Sequence, residues 1–223
     1  MFYVYVDFYQ QDCLTKAKIK MESKMMDDNL FEQIATKYDT EHRIELAKVI
    51  AAEVRAELQD SQSKTLMDYG SGTGLVSLEL CDVVDSILLV DSAKQMLELA
   101  KAKISRKGIT NAQVLYSDFT KTASEHKADI VLMSLVLLHI SDTKKILQEL
   151  FHILNAGGKL IIVDFDKNDE VFHPKVHNGF VHEELKEILA EVGFKGTKLR
   201  TFHHGKNIFM NQDASMFISS SLK

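Results

Sequence analysis

The chain is short of proline, cysteine and any excess of positive charge, and each shortage removes a class of reading. One proline in 223 residues, with no internal repeat or low-complexity tract, describes one globular unit. Two cysteines, Cys13 and Cys81, stand far apart without ligand spacing. They read as reduced thiols of a cytoplasmic protein, Cys81 packed on a helix. A net charge of −5 with no basic stripe argues against a nucleic-acid partner. No run approaches the ~18 apolar residues of a membrane span, so no membrane partner is expected. Met1 to Gln10 is apolar but has no basic leader and is broken by Asp7, unlike a signal peptide. Residues 1–24 are expected to be an extension, and 25–223 a single domain.

What is present is an alternation of strand and helix patterns. Short apolar runs at Lys64–Tyr69, Ser86–Asp91, Ala112–Ser117, Asp129–Met133 and Lys159–Asp164 have strand length. Between most of them apolar residues recur three and four apart. Met96, Leu97, Ala100 and Ile104 make one stripe, with Ser92 and Gln95 as a capping box. Ile146, Leu150, Ile153 and Leu154 make a second, ended by Gly157-Gly158, and Leu185, Ile188, Leu189 and Val192 a third, closed by Gly193. Ahead of these, Phe31 to Leu58 reads as largely helical, with Ile44, Ala47, Ile50, Ala51, Val54 and Leu58 on one face. Thr197–Phe202 and Ile208–Phe217 leave room only for a hairpin, with His203 and His204 at its tip. Together these predict an α/β fold, Rossmann-like and doubly wound: a mostly parallel seven-stranded sheet with a C-terminal antiparallel hairpin.

The most specific signal is Leu66-Met67-Asp68-Tyr69-Gly70-Ser71-Gly72-Thr73-Gly74. An apolar strand ends at the carboxylate of Asp68 and turns into glycines at alternate positions, where φ > 0 is accessible and no Cβ holds a ligand off. Leu75 to Leu80 reads as the first turns of a helix, whose free N–H groups favour an anionic group. Dinucleotide folds place the third glycine one position later, where Leu75 stands here. Asp91, 21 positions after Gly70 at the end of the second apolar run, suits ribose hydroxyls.

The compact Gly-x-Gly-x-Gly turn resembles motif I of the class I S-adenosylmethionine-dependent methyltransferases, the likeness covering about residues 30 to 210. It implies S-adenosyl-L-methionine as cofactor and methyl transfer as activity. Gly70, Ser71, Gly72 and Gly74 then cradle the ligand, with Asp91 and Ser92 at the ribose and Met96 against the adenine. An acid after the third strand, Asp118, and the backbone of Phe119 would read the adenine edge, Asp118 also capping a short helix Phe119–Ala123. Ser134 would offer its carbonyl or hydroxyl to the amino end. Tyr38, in a Tyr-Asp pair ahead of motif I, would close over the methionine end. The family often carries a histidine after the fourth strand, which makes His139 the candidate base. Leu154 to Ile162 resembles the family's glycine turn before the fifth strand.

The polar run from Asp164 through Phe180 is a candidate substrate lid. His173 and His177 have ligand spacing only on a helix, which Pro174 argues against, so no metal is expected. The expected partner is a small-molecule methyl acceptor, its methylated atom (O, N, S or C) left open, on a monomer or homodimer. The competing readings are an NAD-type oxidoreductase and a non-catalytic module that keeps the cofactor pocket.

Overall fold

The structure, a computed structural model, describes residues 38–120 and 125–223. The extension expected at 1–24, the domain start at Met25, the first part of the helix expected from Phe31 and most of the short helix at 119–123 lie outside them. The described elements are α1 (Glu41–Glu57), β1 (Thr65–Tyr69), β2 (Ser86–Asp91), α2 (Lys94–Lys107), β3 (Ala112–Tyr116), β4 (Ala128–Ser134), α3 (Thr143–Ile153), β5 (Leu154–Phe165), α4 (His182–Val192), β6 (Lys195–Phe209) and β7 (Gln212–Leu222).

The strands form one seven-stranded sheet in the order β3-β2-β1-β4-β5-β7-β6. The pairs from β3 to β5 are parallel, while β7 runs antiparallel to both β5 and β6. Both faces are apolar because successive side chains alternate and each face has its own cover. Leu66, Ile130, Leu132, Ile161 and Val163 pack with Ile50, Ala51 and Val54 of α1 on one side. Met67, Val131, Met133, Leu160 and Ile162 pack with Ile146 and Leu150 of α3 and Leu185 and Leu189 of α4 on the other. Strand order reverses beside β1, whose partners are β2 and β4, so the carboxyl ends of β1 and β4 border the crevice where ligands bind such sheets.

Local structure departs from the sequence pattern in several places. After the glycine turn there is only a 3₁₀ turn, Ser77–Glu79, in place of the expected helix. The carbonyls of Cys81 and Val84, which a helix would satisfy internally, are instead taken by the Asn111 side-chain amide at 2.8 and 3.3 Å. Cys81 therefore sits in a turn and not on a helix. Ser92 and Gln95 make no capping box: α2 begins after Ala93 with no side-chain cap, and the Ala93 N–H donates to Asp91 Oδ1. Gly157 and Gly158 lie inside β5, which starts at Leu154, directly after α3. A Cβ on Gly158 would stand 2.8 Å from the Asn155 carbonyl, so the strand needs glycine there for close backbone approach.

The hairpin is longer than its pattern. Its tip is Met210-Asn211, both at positive φ (52° and 62°), a two-residue loop whose twist suits the flanking strands. His203 and His204 lie within β6, opposite Met216 and Ser215. The helix expected to include Tyr38 begins at Glu41, because the Thr40 side chain accepts from Arg43 N and caps it.

Candidate active site

The strand β1 delivers Asp68 to its carboxyl end, and the chain then turns sharply. The N–H groups of Gly70 and Ser71 both donate to the Val90 carbonyl at the end of β2, at 2.8 and 3.0 Å. Gly70, Gly72 and Gly74 all have positive φ (74°, 55° and 75°), but their surroundings differ. A Cβ on Gly70 would lie 2.4 Å from Val136 Cγ2, and one on Gly74 2.8 Å from Leu89 Cδ2. Those two glycines serve internal packing. A Cβ on Gly72 would meet nothing nearer than the Tyr38 ring at 3.8 Å. Asp91 pins the turn: its Oδ2 accepts from Gly72 N at 2.7 Å and its Oδ1 from Ala93 N at 2.8 Å.

The opposite wall comes from the start of α1. Arg43 falls in register with Ala47, Ile50, Ala51 and Val54, the buried face of the helix. Its guanidinium is therefore carried inward, and the residue is only 7% exposed. Nη1 donates to the Tyr38 carbonyl at 2.9 Å, and the guanidinium lies 4.4 Å from the Tyr38 ring centroid. Nε and Nη2 are buried with no hydrogen-bond partner among the described residues. Burial lowers the Arg43 pKa, with Tyr38 and Asp39 opposing, and burial raises that of the Tyr38 phenol. An Arg in the apolar register of an amphipathic helix was the signal available in the sequence, masked by the apolar Ile44 beside it.

Between these walls lies an open cleft of roughly 620 Å³, a volume that includes the solvent at its mouth. Tyr38 and Arg43 line it opposite the glycine turn with Asp68, Gly70, Ser71 and Thr73, and Ser134 and Leu135 complete the lining at the end of β4. The Ser71 hydroxyl is buried without a hydrogen-bond partner among the described residues. Asp68 is buried, and loss of hydration pushes its carboxyl up to about 7, Ser77 pulling it down and the Asp91 charge adding to the rise. Leu135 takes φ 55°, rare for a leucine, and its N–H donates to the Val163 carbonyl.

Of the sequence-derived candidates, Tyr38, Asp68, Gly70, Ser71 and Ser134 line this cleft, and Gly72 and Asp91 are bonded at its rim. Gly74 packs behind the turn. The others gather along the ends of β2 and β3: Ser92 follows Asp91, Met96 is buried in the first turn of α2, and Phe119 is buried with its ring stacked on Tyr69 at 4.8 Å. The Asp118 Oδ1 accepts from the N–H and hydroxyl of Thr120, at 2.9 and 2.6 Å.

His139 ends the 3₁₀ turn Leu137–His139 and does not line the cleft. Burial, with His173 and His177 nearby, drives its pKa down to about 3, so its ring is neutral at pH 7. Asp164, buried at the end of β5, accepts from Leu138 N at 3.1 Å and Phe165 N at 2.8 Å, so it fixes that turn. Burial raises its carboxyl to about 7 against these bonds. The run expected as a lid is closed at its base by the Asp166–Phe180 bridge and fastened by His177. The His177 N–H donates to the Leu138 carbonyl, and Nε2 lies 2.9 Å from the Ile140 carbonyl. Among the described residues no group of three or more acids, histidines or cysteines suits a metal ion, and no helix is long and apolar enough to cross a membrane.

Residues 60–209 match the sequence model of a family described as a methyltransferase domain. The chain is 27% identical over 122 residues to the tRNA 5-carboxymethoxyuridine methyltransferase of Escherichia coli K12, covering 53% of this chain and 47% of that one. It is 28% identical over 149 residues to the ubiquinone/menaquinone biosynthesis C-methyltransferase UbiE of Blochmanniella floridana, covering 61% and 57%. The matches thus span about half the length of these relatives. In fold the chain resembles a SAM-dependent methyltransferase from Aquifex aeolicus, with TM-score 0.64, 20% identity, and 86% and 97% of the two chains covered. It also resembles phosphoethanolamine N-methyltransferase 2 of Haemonchus contortus in complex with S-adenosyl-L-methionine, with TM-score 0.65, 14% identity, and 78% and 52% covered.

Proposed function

The chain belongs to the methyltransferase-domain family of class I S-adenosylmethionine-dependent enzymes, and from that premise we propose that it methylates a small-molecule acceptor. One observation carries the assignment of the cleft. It holds a buried guanidinium with two unpartnered nitrogens and, on the facing wall, a buried carboxyl. An α-amino acid presents the complement of both, a carboxylate and an ammonium, and the cofactor ends in that group. The fit is chemical as well as steric: Arg43 Nε and Nη2 and the Ser71 hydroxyl want acceptors, and the bare Gly72 lets a ligand approach the main chain.

In this reading Arg43 and Ser71 hold the carboxylate, Asp68 and Ser134 the ammonium, and Tyr38 covers that end. Asp91 meets the ribose hydroxyls, and Ser92, Met96, Asp118 and Phe119 frame the nucleobase. The cofactor, when bound, would supply a sulfonium methyl carbon open to in-line attack, with a neutral thioether as the leaving group. The protein's task is placement of the acceptor, because bringing reacting atoms to about 3–3.5 Å in line supplies much of the rate. His139 lies away from the cleft lining, and a pKa lowered to about 3 makes its neutral ring a weak base. The net charge of −5 supports a small acceptor over a polyanion.

The test is calorimetric titration with S-adenosylhomocysteine, followed by radiolabelled methyl transfer into fractionated metabolite and tRNA pools. Absence of binding overturns the cofactor assignment. Label arriving in tRNA overturns the small-molecule acceptor and leaves the cofactor assignment standing.

A further inference from the structure

Lys103 projects from α2, does not line the cleft, and is nevertheless drawn into its margin. Its Nζ meets Asp39 Oδ2 at 2.5 Å, the Thr73 carbonyl at 2.9 Å and the Thr73 hydroxyl oxygen at 2.8 Å. The Thr73 hydroxyl in turn donates to Asp39 Oδ1 at 2.6 Å, so the three side chains close a ring. The ring is shielded: the Lys103 and Asp39 side chains are 14% and 28% exposed, and Thr73 is buried. It joins three parts of the chain, the segment before α1, the glycine turn and the middle of α2.

Its position in sequence gives it a consequence for the cleft. Asp39 follows Tyr38 and Thr73 follows Gly72, the two residues that face each other across the gap of 3.8 Å measured to a Gly72 Cβ. Tyr38 also carries Arg43, through its carbonyl and its ring face. A continuous set of contacts therefore runs from the Lys103 ammonium through Asp39 and Tyr38 to the guanidinium.

We propose that Lys103 is a positioning residue for the cofactor's amino-acid end, clasping the Tyr38–Asp39 segment to the glycine turn so that Tyr38 and Arg43 stand ready over the cleft. Lys103 touches no ligand. It acts by holding fixed a segment that otherwise has to be ordered when the ligand binds, and such ordering weakens binding. The inference rests on the assignment of this cleft to the amino-acid end of the cofactor. Burial lowers the Lys103 pKa while Asp39 opposes that shift, as expected for an ammonium enclosed by its partners.

The test compares two ligands that differ only at that end. S-adenosylhomocysteine carries the amino acid, and 5′-methylthioadenosine has a methyl group in its place. Lys103→Met keeps the stem and removes the charge. Relative to wild type it is expected to weaken S-adenosylhomocysteine about tenfold, to leave methylthioadenosine within about twofold, and to add little on an Arg43→Met background, because coupled residues are not additive. Lys103→Arg should restore most of the loss. Unchanged affinity for S-adenosylhomocysteine, equal weakening of both ligands, or full additivity with Arg43→Met overturns the proposal. If Lys103→Met does not fold, Asp39→Asn carries the same expectations and the same refutations. A wild-type chain that binds neither ligand overturns the cofactor assignment, and this inference with it.

Discussion

Replacing Arg43 by methionine should separate folding from ligand binding. In the free protein the guanidinium makes one charge-assisted bond, to the Tyr38 carbonyl, and lies over the Tyr38 ring. The bond is worth about 1.5–3 kcal/mol. The ring contact adds about 0.5–2 kcal/mol. Against these stand two buried donors, Nε and Nη2, each costing about 1–3 kcal/mol while unpaired. Methionine keeps the apolar stem and fills much of the volume. The opposing contributions nearly cancel, so the ligand-free stability should move by no more than about 1 kcal/mol. For a chain of this size that is a shift in Tm of roughly 2–4 °C. Ligand affinity should behave otherwise. A carboxylate deprived of its guanidinium loses about 1.5–3 kcal/mol, or roughly 10–150-fold in Kd. The assay is a thermal melt of the free protein beside calorimetry with S-adenosylhomocysteine, both for wild type and variant. Unchanged affinity together with a large fall in ligand-free Tm would show the guanidinium to be a structural strut and refute the reasoning.

Gly72→Ala should cost stability only through its positive φ, roughly 1–2 kcal/mol, while weakening S-adenosylhomocysteine strongly. Gly70→Ala, which drives a Cβ into Val136, should lose far more stability, and equal melts for the two would contradict the distinction. Asp68 is held protonated up to about pH 7, whereas in the unfolded chain it ionises near 3.8. The native state therefore binds the extra proton in that window, and this contribution to stability is lost as pH rises from about 4 through 7. A ligand ammonium prefers the ionised carboxylate, so S-adenosylhomocysteine should bind more tightly as pH rises through 7, with release of a proton. Asp68→Asn should flatten that dependence in calorimetry run in buffers of different ionisation enthalpy. His139→Ala should leave the pH profile of methyl transfer unchanged once an acceptor is known, and loss of a pH-dependent limb would return His139 to the role of base.

Much of this architecture was written locally. The strands of the parallel sheet carry continuous apolar runs, and Gly70, Gly72 and Gly74 demand a turn wherever they are placed, so β1, its turn and Asp91 could be read directly. The misreadings came where a local pattern is compatible with two structures. Leu75–Leu80 has helical spacing, yet only the 3₁₀ turn Ser77–Glu79 forms, and the carbonyls of Cys81 and Val84 just beyond it are taken by Asn111, some 30 positions on from Cys81. Gly157-Gly158 look like a helix stop, and instead both lie within β5, where Gly158 lets the strand pass close to the Asp129 carbonyl of its neighbour. The Gly205 region looks like a hairpin tip, but pairing with β7 carries the strand on to Phe209.

The sequence by itself determined the donor side of the chemistry, because a nucleoside cradle is built from one short stretch of main chain whose conformational demands are visible residue by residue. The tertiary structure decided the rest of the site. Arg43 becomes a buried cation facing the cleft only because α1 turns it inward, and Lys103, Asp39 and Thr73 become one unit only when three distant segments meet. Charges gain their function from what lies around them after folding, and no spacing along the chain records that.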